Sequence, residues 1–427
     1  MKLGKLSLVA VMALGTSAFA IDNVKVNGEA KLWYQTSEFD GNGASAAEKQ
    51  MDMFDHNTNS LAEASLLIGA TMDLAPNLSM GASAYALTTL GLENNLVGQV
   101  PAARLDVNGA AATGALDDQS WARELYLAYT AGKTTVKIGR QELNTPLAFT
   151  EKWNVVDNTF DAAVLLNNDL PDTTLVGAWV GKDNGAGSNT TVNNGGKFSN
   201  FGEKGAYAAG VINKSLPSTT AQAWYYDVNH VADAYWLQAD AKLMDIVDLG
   251  VQYAAHDTKH IAGDSKTDIV AVKAAVDVVG VNVYAAYSSA SKGPNATNFS
   301  NVATGDKSMI YTALGSIYMD GEHTTKSDTD AWKVGASTKM IPGVTLSASY
   351  GEAESGNNGG ARTNPTDATR SLSNSEVDYS AWDVIAAGKV GPLGLTAIYT
   401  QYEYDYKRDN AADKEFDTLR IIASLKF

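Results

Sequence analysis

Along most of the chain, hydrophobic and polar residues alternate with a period of two. At the C-terminus, residues 419–427 read LRIIASLKF, with Leu, Ile, Ala, Leu and Phe at the odd positions. Because successive side chains of a strand point to opposite faces, this pattern predicts strands with one apolar face. The same alternation recurs in residues 24–32, 247–253, 281–285, 332–337 and 344–350. It is less regular in residues 159–167 and 269–279, where apolar residues occupy both sets of positions.

The pattern predicts about 18 strands, with 16 as an alternative count. Each candidate has the roughly ten residues that a tilted membrane-spanning strand requires. The candidates begin near Val24, Thr58, Leu78, Gln119, Thr134, Thr159, Thr173, Gly205, Thr219, Ala232, Val247, Lys266, Gly280, Asp330, Gly343, Val377, Leu395 and Glu415.

Short and long connections between these strands are expected to alternate. Pro and Gly mark tight turns near residues 75–77, 131–133, 170–172, 216–218, 341–343 and 391–394. Long polar stretches lie at residues 37–57, 91–118, 183–203, 291–329 and 352–375. A sheet with tight turns at one end and long loops at the other is typical of an outer-membrane β-barrel, with periplasmic turns and extracellular loops. A soluble β-sandwich or β-helix also alternates with period two and is the alternative.

The N-terminus favours export. Lys2 and Lys5 precede the apolar stretch of residues 6–14, and residues 18–20 read AFA, a small-x-small cleavage pattern. Residues 1–20 are therefore predicted to be a signal peptide, and residues 21–427 a single barrel domain. The apolar stretch is too short for a spanning helix. Loss of Lys2 and Lys5 with the leader changes the formal net charge from −16 to −18.

Two further features favour a barrel in the outer membrane of a Gram-negative bacterium. The chain ends on an apolar strand at Phe427, which resembles the C-terminal signature of bacterial outer-membrane barrels. Aromatic residues also cluster near strand ends, as expected of rings anchored at the headgroup level. The residues assigned to this girdle are Trp33, Tyr34, Trp121, Tyr126, Tyr129, Trp224, Tyr225, Tyr226, Tyr235, Trp236, Tyr402, Tyr404 and Tyr406.

Composition narrows the chemistry. The 427 residues contain no cysteine, which excludes disulfides, thiolate metal sites and a cysteine nucleophile. With 48 acidic and 32 basic side chains, the chain lacks the basic character that nucleic-acid binding needs. No nucleophile elbow, phosphate-binding loop or dinucleotide fingerprint occurs, so no enzymatic activity is expected.

Several short segments resemble a known family. Residues 136–149, VKIGRQELNTPLAF, resemble the strand-to-third-loop segment of OprD-like porins. The closer resemblance is to the epsilonproteobacterial branch that includes the Campylobacter major outer-membrane porin, which residues 1–10, 221–227 and 232–238 also resemble. The resemblance implies an 18-stranded barrel, a homotrimer, and a third loop folded inward to narrow the pore.

Selectivity in such a channel comes from charges at its narrowest point. The candidate constriction is the loop of residues 143–159, which by the family resemblance enters the lumen and faces a wall of opposite charge. The candidate constriction residues are Glu142, Glu151, Lys152, Asp157, Arg123, Arg140 and Arg420. Lys25, Lys31 and Lys137 are predicted lumen charges. Arg140 alternates out of phase with Lys137, so the direction of its side chain is open. For each of these residues, the alternative is that the charge is simply solvated in a polar lumen and has no role in selectivity.

No cofactor is expected. Residues 55–59 begin like a calcium-binding loop, but Ser60 replaces the required glycine and Leu66 the bidentate glutamate. A looser structural calcium site in the acidic loops stays an alternative. His256 and His260 have the spacing of two metal ligands, but they lie in a strand-to-loop segment rather than on a helix.

The sequence thus favours a porin for passive diffusion of ions and small hydrophilic solutes, embedded in outer-membrane lipid and lipopolysaccharide. The alternatives are a substrate-specific channel and a surface adhesin built on a barrel. The predicted inward positions carry mainly Ala, Ser, Thr and Gly with mixed charges, which favours the general pore. A net charge near −18 indicates a mild preference for cations.

Overall fold

The computed structural model describes most of the chain as antiparallel strands. The described residues are 21–41, 52–54, 60–92, 118–185, 196, 198–259, 266–292, 298–305, 307–317, 321, 323–356, 363–364, 367–371, 376–407 and 413–427. The predicted signal peptide, the calcium-like segment 55–59 and His260 lie outside them. Among the described residues, no helix is long and apolar enough to cross a membrane.

Eighteen strands form one closed sheet. Each strand pairs antiparallel with its chain neighbours, and the last pairs with the first, from Glu29 opposite Lys426 to Asp40 opposite Glu415. In chain order they are β1 Asp22–Asp40, β2 Ser60–Ala75, β3 Leu78–Thr88, β4 Gln119–Ala131, β5 Thr134–Gln141, β6 Phe160–Asn167, β7 Thr173–Asp183, β8 Ala206–Asn213, β9 Thr219–Val228, β10 Ala232–Leu243, β11 Val247–Thr258, β12 Lys266–Val278, β13 Val281–Ala290, β14 Thr329–Thr338, β15 Val344–Ser355, β16 Val377–Val390, β17 Leu393–Tyr406 and β18 Lys414–Lys426.

The predicted count of 18 is confirmed, and each predicted strand begins within two residues of its observed start. Closure gives every strand two neighbours, so no edge leaves backbone groups unpaired in lipid. Three short strands lie outside the barrel sequence of pairings, at Ser199–Asn200, Thr363–Asn364 and Asp367–Ser371. The first of these pairs antiparallel with the end of β7, at Lys182 and Asp183.

The connections fall into two classes, one at each end of the barrel. At the short-turn end, connections have two to five residues, at 76–77, 132–133, 168–172, 214–218, 244–246, 279–280, 339–343 and 391–392. Asn77 and Gly132 adopt positive φ angles of 67° and 60° there, which tight hairpin turns require. The other end carries loops L1 (41–59), L2 (89–118), L3 (142–159), L4 (184–205), L5 (229–231), L6 (259–265), L7 (291–328), L8 (356–376) and L9 (407–413).

The prediction that short and long connections alternate strictly was wrong for one connection. L5 has three residues and is as tight as the turns at the opposite end. Val231 donates its N–H to the carbonyl oxygen of Val228 at 2.9 Å, which closes this hairpin. The connection between β9 and β10 is therefore a tight turn at the loop end of the barrel.

The barrel interior contains apolar clusters, which corrects part of the aromatic interpretation. Trp236 is fully buried among Trp224, Tyr226 and residues of L3 and L7. Its neighbour Tyr235 points outward and is 45% exposed. Residues assigned to the girdle that instead face inward are Trp33, Trp121, Tyr126, Trp224, Tyr226, Trp236, Tyr402, Tyr404 and Tyr406. Several of these rings pack against loops inside the barrel, as Trp33 does against L3 and Tyr402 against Leu314 of L7.

The C-terminal residue completes the seam of the barrel. The backbone groups of Phe427 and Gly28 exchange hydrogen bonds at 2.8 and 3.0 Å. The Phe427 ring covers Gly28, where a Cβ would lie 2.5 Å from the ring carbons. Glycine at position 28 is therefore required by the close approach of the terminal ring.

Candidate functional site: two loops inside the barrel

L3 lies inside the barrel against the wall formed by β1 to β4. Lys31 donates from Nζ to the carbonyl oxygen of Asn154 at 3.1 Å, and Ser65 donates from Oγ to that of Val155 at 3.0 Å. Val155 and Val156 are fully buried against the wall. Carbonyl oxygens of L3 thus accept hydrogen bonds from polar side chains that the barrel wall points inward, and these bonds hold the loop in place.

Asn158 fixes the shape of L3 from within. Its side-chain oxygen accepts from the Glu151 N–H at 2.7 Å, and its amide donates to the Phe149 carbonyl at 3.2 Å. Thr159 Oγ1 then donates to the carbonyl of Arg123 at 2.9 Å and ties the loop end to β4. All these groups are buried, so the bonds are not shared with solvent.

A network of charges joins L3 to β4. Arg123 contacts Asp157 and Glu124 at 2.7 Å each, and its Nη2 also contacts Glu142. Arg123 and Asp157 are buried, with 4% and 6% of their surfaces exposed. Lys152 extends the network with a 2.7 Å contact to Glu142, and its own side chain is 60% exposed. The structure therefore brings together four of the predicted constriction residues.

A β-bulge places two consecutive charges in the lumen. Ser83 of β3 pairs with Glu124, and Ala84 pairs with Ala122, so Arg123 is an extra residue in β4. A bulge turns two neighbouring side chains to one face of the sheet. Arg123 and Glu124 consequently both point inward, which strict alternation excludes.

Glu142 stays ionised because of its cationic neighbours. Burial raises the pKa of its carboxyl, but the charges of Arg123 and Lys152 outweigh this, and the net pKa lies below the usual range of a glutamate. The carboxylate is one-third exposed, so it faces both the network and the remaining opening. Glu142 and Lys152 are the two accessible charges of this network.

Glu151 connects L3 to a second inward loop, L7. Its Oε1 accepts from Nδ2 of Asn301 at 2.8 Å and also from Thr304 Oγ1, while Trp153 Nε1 donates to its Oε2 at 2.5 Å. The Asn301 amide also exchanges hydrogen bonds with both backbone groups of Phe149. Asn301 is fully buried, so it links residues 150 positions apart.

L7 was assigned only as a long polar loop, and its inward path was missed. Gln252 of β11 donates to the carbonyl of Met309 at 2.8 Å and accepts from the N–H of Tyr311 at 3.1 Å. Ser316 donates its N–H to Asp383 of β16 at 2.8 Å. The sequence did contain a signal for this path, because the otherwise polar loop includes the apolar residues Phe299, Ile310 and Leu314, which are buried.

The other predicted charges lie around this core. Arg420 is 1% exposed, donates to Gln35, and lies 4.8 Å from the rings of both Trp33 and Trp153. Lys137 faces the lumen with its ammonium 3.6 Å from the centre of the Tyr126 ring. These two cations are engaged by aromatic faces and neighbouring side chains.

Arg140 and Lys25 lie apart from L3, contrary to expectation. Arg140 belongs to the outward set of positions with Ile138, and it pairs with Asp161 of β6 at 2.9 Å. Phase along the strand explains this, since Lys137 and Gln141 occupy the opposite face. Lys25 is exposed near the short-turn end of β1.

Together, L3 and L7 fill part of the lumen and leave a reduced opening. Of the predicted basic residues, Arg123, Arg420 and Lys31 are at least nine-tenths buried, so solutes do not reach their charges directly. Within the described ranges, no three histidine, aspartate or glutamate side chains converge into a group that could hold a metal ion. Other inward charges are partly exposed on the wall of β10 to β12, in the pairs Lys273–Asp240 and Lys242–Asp248.

Solved structures share this architecture. Pseudomonas aeruginosa OpdK, crystallised with vanillate, superposes with a TM-score of 0.69 and 13% identity, over 95% of this chain and 98% of OpdK. OccK8 (OprE) of the same species gives 0.67 and 15%, over 96% and 99%. A BenF-like porin from Pseudomonas fluorescens Pf-5 gives 0.68 and 13%, over 95% and 99%. The TM-scores establish a common fold, and at identities this low the comparison establishes the fold alone.

The sequence itself identifies the family. Curated protein sequences include no significant match to this chain. The family model of the Campylobacter major outer membrane protein matches residues 1–380, which is most of the sequence. With a closed barrel of 18 strands and an inward third loop, the chain belongs to the Campylobacter major outer membrane protein family and is an outer-membrane porin.

Proposed function

We propose that this porin is a general diffusion channel for ions and small hydrophilic solutes. The observation that carries the proposal is the inward path of L3, which occupies part of the lumen and is held to the wall by Lys31 and Ser65. Glu142 and Lys152, of opposite sign and 2.7 Å apart, are the charged groups that L3 presents to the opening. Because the charges of an adjacent acid and base largely cancel, this pair favours neither cationic nor anionic solutes strongly.

A substrate-specific channel is less well supported. Specific uptake of an anion needs a series of accessible cations along the pore. Arg123 and Arg420 are buried and engaged, and Arg140 lies on the outer face. These three arginines therefore do not present guanidinium groups in the lumen that could bind a carboxylate or phosphate.

Ion selectivity is expected to be weak and in favour of cations. The mature charge of −18 attracts cations toward the channel mouth. Salt screens such charges over about 8–10 Å, so their effect at the opening is small. We expect no enzymatic activity and no cofactor, with structural calcium in the acidic loops as the alternative.

We further propose that the mature chain of residues 21–427 assembles as a homotrimer surrounded by lipid and lipopolysaccharide. This assembly is carried by the family resemblance. Closed rotational symmetry is the usual form of such oligomers.

The test is single-channel recording of the refolded mature protein in a planar bilayer with a KCl gradient. Large ohmic steps with a small cation-selective reversal potential are expected. Steps that saturate with one solute, or that are blocked by it at low concentration, would favour a substrate-specific channel. Folded protein without steps would contradict the pore and favour the adhesin.

A further inference from the structure

The barrel wall carries a recess between L7 and the short-turn end, on the inner side of β9 to β13. Its volume is about 450 Å³, and it opens into the lumen. Asp240 and Lys242, which line it, share the inward face of β10 with the buried Trp236. The recess is thus part of the wall along which a solute passes.

One cation of the recess is held in a fixed position. Gly250 of β11 lies in register between Asp240 of β10 and Lys273 of β12, and a Cβ there would lie 2.7 Å from Cε of Lys273. Glycine therefore lets the Lys273 side chain cross β11, and its Nζ lies 2.7 Å from Oδ1 of Asp240. Tyr311 of L7 donates to the same oxygen at 2.8 Å, and its ring lies 4.2 Å from the ammonium. An ammonium has three N–H donors, so Lys273 keeps donors for a solute.

The second ion pair of the recess is loose. Nζ of Lys242 lies 3.4 Å from each carboxylate oxygen of Asp248. Charge-assisted hydrogen bonds between an ammonium and a carboxylate are shorter, at about 2.7–2.9 Å. Both side chains are more than one-third exposed, and among the described residues each is the only ionic partner of the other. A solute can therefore exchange with this contact.

The four charges alternate in sign. Asp240 and Lys242 are two residues apart on β10, which is about 7 Å along the strand. Asp248 lies opposite Lys242 in register, and Lys273 reaches Asp240. Each cation has an anion beside it, so the net charge of the recess is zero. Such an arrangement attracts a simple ion little, whereas a molecule with both charges close together matches it.

A small residue keeps space open beside these charges. Ala275 of β12 lies in register between Asp248 of β11 and Tyr284 of β13. Tyr284 leans over Gly335 of β14, where a Cβ would lie 2.6 Å from the ring. The ring is directed away from Asp248, which leaves room for a solute above Ala275.

We propose that this recess is a subsite for small zwitterions that carry an ammonium and a carboxylate close together, as free α-amino acids do; this rests on the open channel proposed above. The carboxylate of the solute binds to the ammonium groups of Lys242 and Lys273, and its ammonium binds to Asp248. Charge-assisted hydrogen bonds to the solute thus replace the long contact between Lys242 and Asp248. A solute with a single charge satisfies only one member of the opened pair.

The test is single-channel recording of the refolded mature protein in KCl at neutral pH, with L-alanine added. A solute that binds in the lumen interrupts the ionic current, so L-alanine is expected to add saturable current noise at millimolar concentrations. L-alaninamide keeps only the ammonium and N-acetyl-L-alanine only the carboxylate. Each is expected to need an about tenfold higher concentration for the same noise, the factor that one charge-assisted contact supplies.

Two variants with the same change of net charge locate the effect. Lys242→Met is expected to weaken the response to L-alanine about tenfold. Lys426→Met is the matched control and should leave the response unchanged. Lys426 is an exposed lysine at the short-turn end of β18, on the opposite wall, with its Nζ 4.0 Å from Glu29.

An equal response of Lys242→Met and the unchanged protein, or equal noise with L-alanine and L-alaninamide, would overturn the subsite. Ohmic steps in KCl with no response to L-alanine would remove the subsite and leave the diffusion channel intact, whereas folded protein without steps would contradict both. Should Lys242→Met fail to fold, Asp248→Asn removes the other partner of the loose pair. The same loss is expected for it, and an unchanged response would be the contradiction.

Discussion

Nη2 of Arg123 lies 2.7 Å from Oδ2 of Asp157, joining the barrel wall to the inward loop through a buried ion pair. The two residues are 34 positions apart, and the bulge at Arg123 is what turns its side chain toward L3. Removing Arg123 leaves the buried carboxylate of Asp157 without its cationic partner.

Replacement of Arg123 by Ala should destabilise the barrel and release L3. Loss of one partner from a buried pair costs about 3–5 kcal/mol. Lys242→Ala is the control, because its ion pair with Asp248 is more than one-third exposed on both sides and is worth about 0–1 kcal/mol. Thermal unfolding followed by gel mobility measures both. Equal destabilisation by the two changes would contradict the anchoring role of Arg123.

Acidification should loosen L3 through Glu142. Because the pKa of this carboxyl is lowered in the folded protein, its stabilising contacts are complete above the ordinary glutamate pKa and are lost as the pH falls through the lower folded value. Open-channel current noise should therefore increase below about pH 4. Glu142→Gln should show this noise already at neutral pH. A variant that keeps the pH response would assign it to another group.

Asn301 should control the width of the opening because it holds L7 to L3. Asn301→Ala removes its bonds to Phe149 and Glu151, and a buried group left unsatisfied costs about 1–3 kcal/mol. Larger or more variable conductance steps are expected. Asn282→Ala at the short-turn end is the control, since its amide bonds Asp277 at an exposed site. Unchanged steps for Asn301→Ala would mean that the two loops are held independently.

Reversal of the charge at Lys152 should increase cation selectivity. The ammonium is accessible and pairs only with Glu142 among the described contacts, so Lys152→Glu changes the charge at the opening by two units, from positive to negative. Lys25→Glu makes the same change six residues along β1 from Lys31, which contacts L3. At about 3.3 Å per residue this is roughly 20 Å, beyond the approximately 8–10 Å over which salt screens a charge. Reversal potentials in a KCl gradient compare them. A larger shift for Lys25→Glu would move the selective region away from L3.

Trp236 and Tyr235 test which face of β10 is the interior. Trp236 is fully buried beneath the loops, so Trp236→Ala should cost about 3–5 kcal/mol in unfolding free energy. Tyr235→Ala removes an outward ring and should cost much less. Urea unfolding monitored by fluorescence in detergent gives the comparison. The reverse order would contradict the assigned faces.

The strands, their number and the two ends of the barrel follow from local patterns in the sequence. Alternation is a property of each segment alone, and Gly, Pro and Asn set turns through their own backbone preferences. The interval from Leu143 to Thr159 was also recognised as the constricting loop, by its resemblance to a family. Arg123, Glu142, Lys152 and Asp157, chosen from sequence, do meet in one network.

Only the tertiary structure decided which face of each strand is inside. Alternation with period two fixes relative phase but not its sign, so Trp224 and Trp236 could be read as membrane anchors although they support L7. One inserted residue at Arg123 also shifts the phase within β4. The path of L7 depends on Asn301 meeting Phe149 and Glu151, which are about 150 residues away. Such contacts exist only after the barrel closes, because closure brings distant loops into the same lumen.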